Sequence, residues 1–344
     1  MESRPILSIC IVSYNRREEL KKIVDKLLEN SDSTNIEIIV SDDGSTDGTV
    51  EQMNEYVRKY KTLKFYTRNV ALGAIKNWMA ALLMGSGKYV MTLNDRDTIE
   101  TDNLNDLVEI LSSNNDIVAG YCDPFLQDNS IKYYEGIEIL FKVAYRSLHP
   151  SGYFFERDRL GELPCMQENL KYLIKENVGY WPHDFAIAEC FDKGRVLFYK
   201  KRLVVKSNNE YIATHRSGVD ASSVENIWFS PKQRLEQLTR IIKHIQTLEI
   251  DQVKKRFLIN KVVYRQLRYA TIIYASYREN KYESQHYGLE TKKISKEEMK
   301  IIVTDFKNEY IKHLNLAHFD WTYKVITKII CDCYSFVLMV KGLL

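Results

Sequence analysis

Apolar residues along the chain fall first in short unbroken runs and then at helical spacing, and the two patterns alternate. "ILSICIVSYN" is a run of apolar residues closing on polar ones, the pattern of a buried parallel strand. "RREELKKIVDKLLEN" follows with Leu20, Ile23, Val24, Leu27 and Leu28 on one stripe, which predicts an amphipathic helix. The same alternation gives "IEIIVSDDGS" as a second strand, "TDGTVEQMNEYVRKY" as a helix and "LKFYTRN" as a third strand. "GAIKNWMAALLMGS" is a further helix and "KYVMTLND" a fourth strand. Strands and helices joined by short loops predict an α/β, doubly wound sheet.

Beyond this the pattern loosens. "DIVAGYCDPFL" reads as a strand, "SLHPSGYFFERDRLGE" as a loop or strand and then a turn, and "QENLKYLIKEN" and "HDFAIAECFDKG" as helices. "RVLFYKKRLVVKSN" gives one or two strands. From about Pro231 the character changes. "RLEQLTRIIKHIQTL" sets Leu235, Leu238, Ile241, Ile242, Ile245 and Leu248 on one helix face, and further helices rich in Tyr and Lys follow. The expected division is a catalytic or binding domain over 1–230 and a helical, basic extension over 231–344. There is no internal repeat and no low-complexity linker.

Composition supports this division. With 45% apolar and 28% charged residues in 344, the chain can bury a large core and is not dominated by disorder. Its net charge of +3 gives no reason to expect nucleic acid. The charge is uneven, however: 21 basic and 12 acidic residues from Pro231 onward make +9 there and leave −6 for the rest. Two regions with different partners, or a helical tail carrying solvated lysines, both account for that. The cysteines Cys10, Cys122, Cys165, Cys190, Cys331 and Cys333 have no zinc-type spacing and fit a reduced, cytoplasmic compartment. "MESRPILSICIVSYN" lacks the order of a signal peptide, and no apolar run has the length of a membrane span.

Ligands of open α/β sheets bind beyond the carboxyl ends of the strands. Here those ends read "SYNR", "SDDGS", "TRN" and "LNDRD". No GxGxxG follows the first strand and no GxxxxGK[ST] occurs, so a nicotinamide enzyme or a P-loop ATPase is not expected. Asp95 and Asp97 flank one residue at a strand end, a spacing that lets two carboxylates approach one Mg²⁺ or Mn²⁺. A metal placed on a diphosphate stabilises it as a leaving group. The acids of "SDDGSTDGT" are either a capped turn or a ligand-binding edge.

Taken in order, "SICIVSYNR", "EIIVSDDGSTDGT" and "KYVMTLNDRD" resemble the family 2 glycosyltransferases of bacterial surface-polysaccharide type. The resemblance is strong over roughly residues 6–105 and continues weakly to about 220. It implies a GT-A fold, a Rossmann-like nucleotide-sugar-binding sheet, with a C-terminal helical extension. It also implies a nucleotide-sugar donor, commonly UDP-linked, and an inverting transfer. By position, Tyr14 falls where the family sets a residue against the nucleobase, and Asp43 where it reads the base edge. A carboxylate accepting the uracil imide N–H makes a charge-assisted bond. Asp47 is left to favour the following helix N-terminus. Lys76 matches a basic position suited to nucleotide or phosphate, and is otherwise a solvated helix lysine. Asp97 lines up with the usual metal ligand. Asn94 and Arg96 stand where the family often has acids, and the Arg96 guanidinium is suited to pair with diphosphate in place of metal.

Inverting displacement needs a group to take the acceptor proton. The resemblance points to the His183–Asp184 pair that opens a helix, with Asp184 as base and His183 orienting it or lining the acceptor pocket; an N-cap is the alternative for Asp184. Glu189 and Asp192 are weaker candidates. His215, with Arg216, matches a position near the diphosphate or metal. Tyr180, Trp181 and Phe185 suit a sugar's apolar face. Surface-polysaccharide members act in capsule or lipopolysaccharide synthesis, and bacterial members often extend glycans on a lipid diphosphate carrier. The basic tail would suit the inner membrane surface, a helical cap or a homodimer interface. Two readings compete with catalysis: a nucleotide-sugar-binding protein whose metal site is degraded at Asn94 and Arg96, and a membrane-surface scaffold.

Overall fold

A computed structural model describes residues 4–29, 35–125, 127–167, 182–206, 229–280 and 293–316. The first half alternates as its hydrophobic pattern requires: β1 (Leu7–Ser13), α1 (Arg17–Leu28), β2 (Ile36–Asp42), α2 (Thr49–Lys59), β3 (Leu63–Tyr66), α3 (Ala74–Met84) and β4 (Tyr89–Asn94). Then come β5 (Thr98–Ile99), α4 (Leu104–Ser113), β6 (Ile117–Cys122), β7 (Ile131–Tyr134), β8 (Tyr153–Glu156), α5 (Arg157–Glu162), α6 (His183–Glu189), β9 (Arg195–Tyr199) and β10 (Val204–Val205).

Eight of these strands form one sheet in the order β3-β2-β1-β4-β8-β6-β9-β7, while β10 pairs with β5. Strands β3, β2, β1 and β4 are mutually parallel. β8 is antiparallel to both β4 and β6, so the sheet is mixed at its centre. β6 and β4 therefore point the same way, and their carboxyl ends share one edge with those of β1, β2 and β3. Alternate strand residues make the core on one face, where Leu7, Ile9, Ile11, Ile38 and Val40 meet Leu20, Val24 and Leu27 of α1, Met53 of α2 and Leu107 and Leu111 of α4. α3 packs against β1, β2 and β4. It reads as apolar nearly all round because it is covered, with Asn77, Trp78, Met79, Ala81 and Leu82 buried. Four of these elements were not expected from sequence: β5, β7, α4, and the helix α5 where "ERDRLGE" reads as a turn.

The described residues from Phe229 onward belong to a second compact unit. It contains α7 (Pro231–Thr247), α8 (Gln252–Arg268), α9 (Tyr274–Glu279) and α10 (Lys296–Leu316). Leu238, Ile241, Ile242 and Ile245 are buried as their spacing requires, while Leu235 stays half-exposed. Ser230 caps α7 by accepting from the Gln233 N–H at 3.3 Å, ahead of Pro231 at the first helical position. Among the described residues no helix is long and apolar enough to cross a membrane.

Candidate active site

The carboxyl edge of the sheet is held together by its own acids. Asp42, fully buried, accepts from the N–H groups of Gly44 and Ser45 at 3.1 and 3.0 Å, from the Thr67 hydroxyl at 2.7 Å and from the Ser45 hydroxyl. Asp43, also fully buried, accepts from the Leu72 and Gly73 N–H groups at 2.8 and 2.9 Å and pairs with Arg68 at 3.0 Å. Arg68 donates further to Asn77 and Ser41. Asp47 accepts from the Thr49 N–H at 3.1 Å and the Arg17 N–H at 3.0 Å, so it joins the starts of α2 and α1. Burial pulls the Asp47 pKa up, but these bonds outweigh it and the group lies below its ordinary value. The run "SDDGSTDGT" is thus a bonded turn in which Asp43 shapes the 68–73 loop. A base-reading role for Asp43 has to coexist with three donors already placed on it.

The acids of "LNDRD" have separate partners. Asp95, 2% exposed, accepts from Arg16 Nη1 at 2.5 Å and from the Tyr14 N–H at 3.3 Å. Burial raises its pKa, and Arg16 offsets that only in part. Asp97, 1% exposed, takes His149 Nε2 at 2.6 Å, the Ser151 hydroxyl and the Asn94 amide at 3.3 Å on Oδ2. Burial pushes Asp97 up, yet His149, Ser151 and the charge of Arg96 together bring it below the usual range. The expectation that Asp95 and Asp97 share one ion meets this division: Arg16 neutralises the first acid and His149 is bonded to the second. Among the described residues no three carboxylate, imidazole or thiol groups converge as a ready metal cluster. An oxygen-preferring divalent ion at Asp97 would have to share that carboxylate with His149, Ser151 and Asn94.

His149 and Ser151 sit on the 145–152 loop. That loop has left-handed backbone at Tyr145, Ser147 and Gly152. Both oxygens of Asp184, 1% exposed, accept from the Ser147 N–H at 3.1 and 3.0 Å, and the Ser147 hydroxyl adds a bond at 3.2 Å. The proposed base is therefore bonded to the loop that presents His149 to Asp97, rather than capping its own helix. His183 is fully buried, with ring centroids 4.1 Å from Tyr153 and 5.6 Å from Trp78. That packing corrects the expectation that it lines an acceptor pocket. Burial, with the charge of His149 adding to it, pushes the imidazole down to about 3.

Tyr14 is half-buried at the end of β1, and Lys76 is half-buried in the first turn of α3, where it makes no ion pair among the described residues. Arg96 is half-buried beside Asp97. Glu189 is buried and accepts from the Cys165 N–H at 3.1 Å, which makes it structural. Phe185 packs edge-on against Tyr145 within the fold. His215, Arg216, Tyr180 and Trp181 lie outside the described residues, as do the helix expected over "QENLKYLIKEN", apart from Gln167, and the tail beyond Leu316. Arg16, Arg68, His149 and Ser151 were missed as site residues. Arg16 and Arg68 stood within the strand-end segments, whereas His149 and Ser151 carried no signal apart from their loop.

The mixed sheet thus presents bonded acids at the carboxyl ends of its parallel strands. TarS residues 1–349 from S. aureus, in complex with UDP-GlcNAc, superimpose with a TM-score of 0.61 at 14% identity, covering 96% of this chain and 91% of that one. The fold is GT-A. A family model described as glycosyl transferase family 2 matches residues 8–164. An uncharacterized glycosyltransferase of Haemophilus influenzae is 30% identical over 187 residues, 53% of this chain and 71% of the relative. The chain belongs to glycosyl transferase family 2. It is also similar to the abequosyltransferase RfbV of Salmonella typhimurium, 35% identical over 121 residues and 34% of this chain. The matched region is only 35% of that relative's length, and this chain covers less than half of three other curated relatives, at 36%, 45% and 43%.

Proposed function

We propose that this protein transfers a sugar, with inversion, from a nucleotide-sugar donor to a hydroxyl of a glycan or lipid-linked oligosaccharide in surface polysaccharide synthesis. The observation that carries this reading is the gathering of Asp95, Asp97, Arg16 and His149 at the carboxyl edge of β1 and β4, next to the loop that Asp43 shapes. Family membership supports a glycosyltransferase, and the UDP-GlcNAc bound to TarS supports a UDP-linked donor.

In this reading the 68–73 loop and Tyr14 form the nucleobase wall, and Asp43 acts on the base through the loop it holds. Lys76, Arg96 and His215 serve the diphosphate. Asp97, beside His149, would hold Mn²⁺ or Mg²⁺, and the ion would supply positive charge to the leaving diphosphate. Arg16 pairs with Asp95 without a metal. Asp184 is the base: an acceptor hydroxyl takes the place of the Ser147 hydroxyl on its carboxylate and passes its proton there as the new bond forms. Residues 1–230 would be the catalytic domain. The basic segment 231–344 would hold the enzyme at the cytoplasmic membrane face, pack as a cap, or join two copies.

The test is release of free nucleotide from UDP-, GDP-, CDP- and dTDP-sugars, with and without oligosaccharide acceptors, by the intact chain and by Asp97→Asn. Acceptor-dependent release from UDP-sugars that the variant loses supports the reading. Nucleotide-sugar binding without any release, for every donor and acceptor, would favour the non-catalytic alternative.

A further inference from the structure

Phe125 stands three residues past the end of β6, on the same edge of the sheet as Asp95 and Asp97. It is 58% exposed, a large ring left in water where the strands end. It is nevertheless fixed. Its N–H donates to Asp123 Oδ1 at 2.9 Å, and Asp123 is itself 6% exposed. Its ring meets the His149 imidazole edge-on, with centroids 5.9 Å apart and planes at 83°. His149 is the residue bonded to Asp97. Lys206 places Nζ 5.8 Å from the ring centroid. Other exposed apolar side chains of this unit, such as Val57, Leu83 and Tyr133, have no such tie to the site acids among the described residues.

From this geometry we propose that Phe125 is the platform of a sugar-ring subsite, reached through His149 from the acid that meets the diphosphate. A pyranose has an apolar C–H face and a polar rim. An exposed ring held by its neighbours stacks on that face at little cost in side-chain entropy. Lys206 and His149 are polar groups beside it, and they suit the hydroxyls of the rim. The ligand class is a hexopyranose ring, either the donor's own sugar or the sugar that accepts it. The proposal rests on the glycosyltransferase reading above and adds to it a residue that selects the sugar.

The test measures affinities of the intact chain and of Phe125→Ala, Phe125→Leu and Phe125→Trp by calorimetry. The probes are UDP, UDP-glucose and UDP-N-acetylglucosamine, then methyl β-glucoside and methyl β-N-acetylglucosaminide in the presence of saturating UDP. Phe125→Ala is expected to leave UDP affinity within about twofold and to weaken a sugar-bearing probe by about three- to tenfold. Phe125→Trp should restore that loss and Phe125→Leu should not. A loss confined to UDP-sugars places the donor's ring on Phe125, and a loss confined to the glycosides places the acceptor's ring there. If UDP binds but Phe125→Ala changes no sugar-bearing probe, or no sugar binds better than UDP alone provides, the subsite is overturned and the nucleotide site stands. If UDP itself fails to bind the unaltered chain, the UDP-linked donor reading fails and the subsite falls with it.

Discussion

His183 offers a sharp test of how the helix beneath the site is built. In an unfolded chain its imidazole takes a proton near pH 6.5, whereas in the folded state burial pushes it down to about 3. Between those values the unfolded chain binds a proton that the folded one refuses. The contribution to stability is therefore complete above pH 6.5 and is lost as pH falls toward 3. Each full pH unit inside that window is worth about 1.4 kcal/mol. Lowering pH from 7 to 5 should therefore cost about 2 kcal/mol through this one group. His183→Phe keeps an aromatic ring between Tyr153 and Trp78 and cannot titrate. Urea unfolding of both proteins at pH 7 and pH 5 isolates the effect, because every other group is common to the pair. The unaltered protein should lose about 2 kcal/mol more than the variant over that interval. Parallel pH dependences would refute the buried neutral imidazole. Unchanged nucleotide affinity in His183→Phe is also expected, since the ring packs within the fold.

Asp43→Ala should cost about 3 kcal/mol in unfolding experiments, because it removes the carboxylate partner of Arg68 and leaves two loop N–H groups unpaired in a buried setting. Arg68→Ala should cost less, since Asp43 then keeps Leu72 and Gly73; equal losses would contradict the loop-shaping role. Asp184→Asn should reduce kcat by at least about 100-fold with nucleotide affinity retained, and a change in KM alone would count against it as base. Gly152→Ala puts a methyl 2.4 Å from the Cys122 carbonyl oxygen at a φ of +94°. A loss of about 1–3 kcal/mol is expected, with weaker nucleotide binding as His149 and Ser151 shift from Asp97; unchanged stability would show that the loop relaxes.

The parallel half of the sheet was readable because β1, β2 and β4 are buried on both faces and α1 shows one apolar stripe. Strand direction was not: "GYFFE" has the same pattern run either way, and only pairing with β4 and β6 makes β8 antiparallel. At the site, sequence marked the acids but not what they hold. Asp47 behaves as its position before a helix suggests. Arg16 reaches Asp95 across 79 residues and His149 reaches Asp97 across 52. Separations of that size leave no periodicity to read. The same limit hid what Asp184 holds: its place in the first turn of an apolar helix suits a cap, while its carboxylate accepts from Ser147 on another segment.

The central claim is that the carboxyl edge of β1 to β4 binds a sugar nucleotide. Calorimetric titration with UDP, GDP, CDP and dTDP, each with Mn²⁺ and with EDTA, tests it most directly. Binding of UDP in preference to the others is expected, strengthened by Mn²⁺ and lost in Asp97→Asn; UDP binding that survives EDTA would move the diphosphate onto Arg96 and Lys76. Failure of all four nucleotides to bind under either condition would contradict the account.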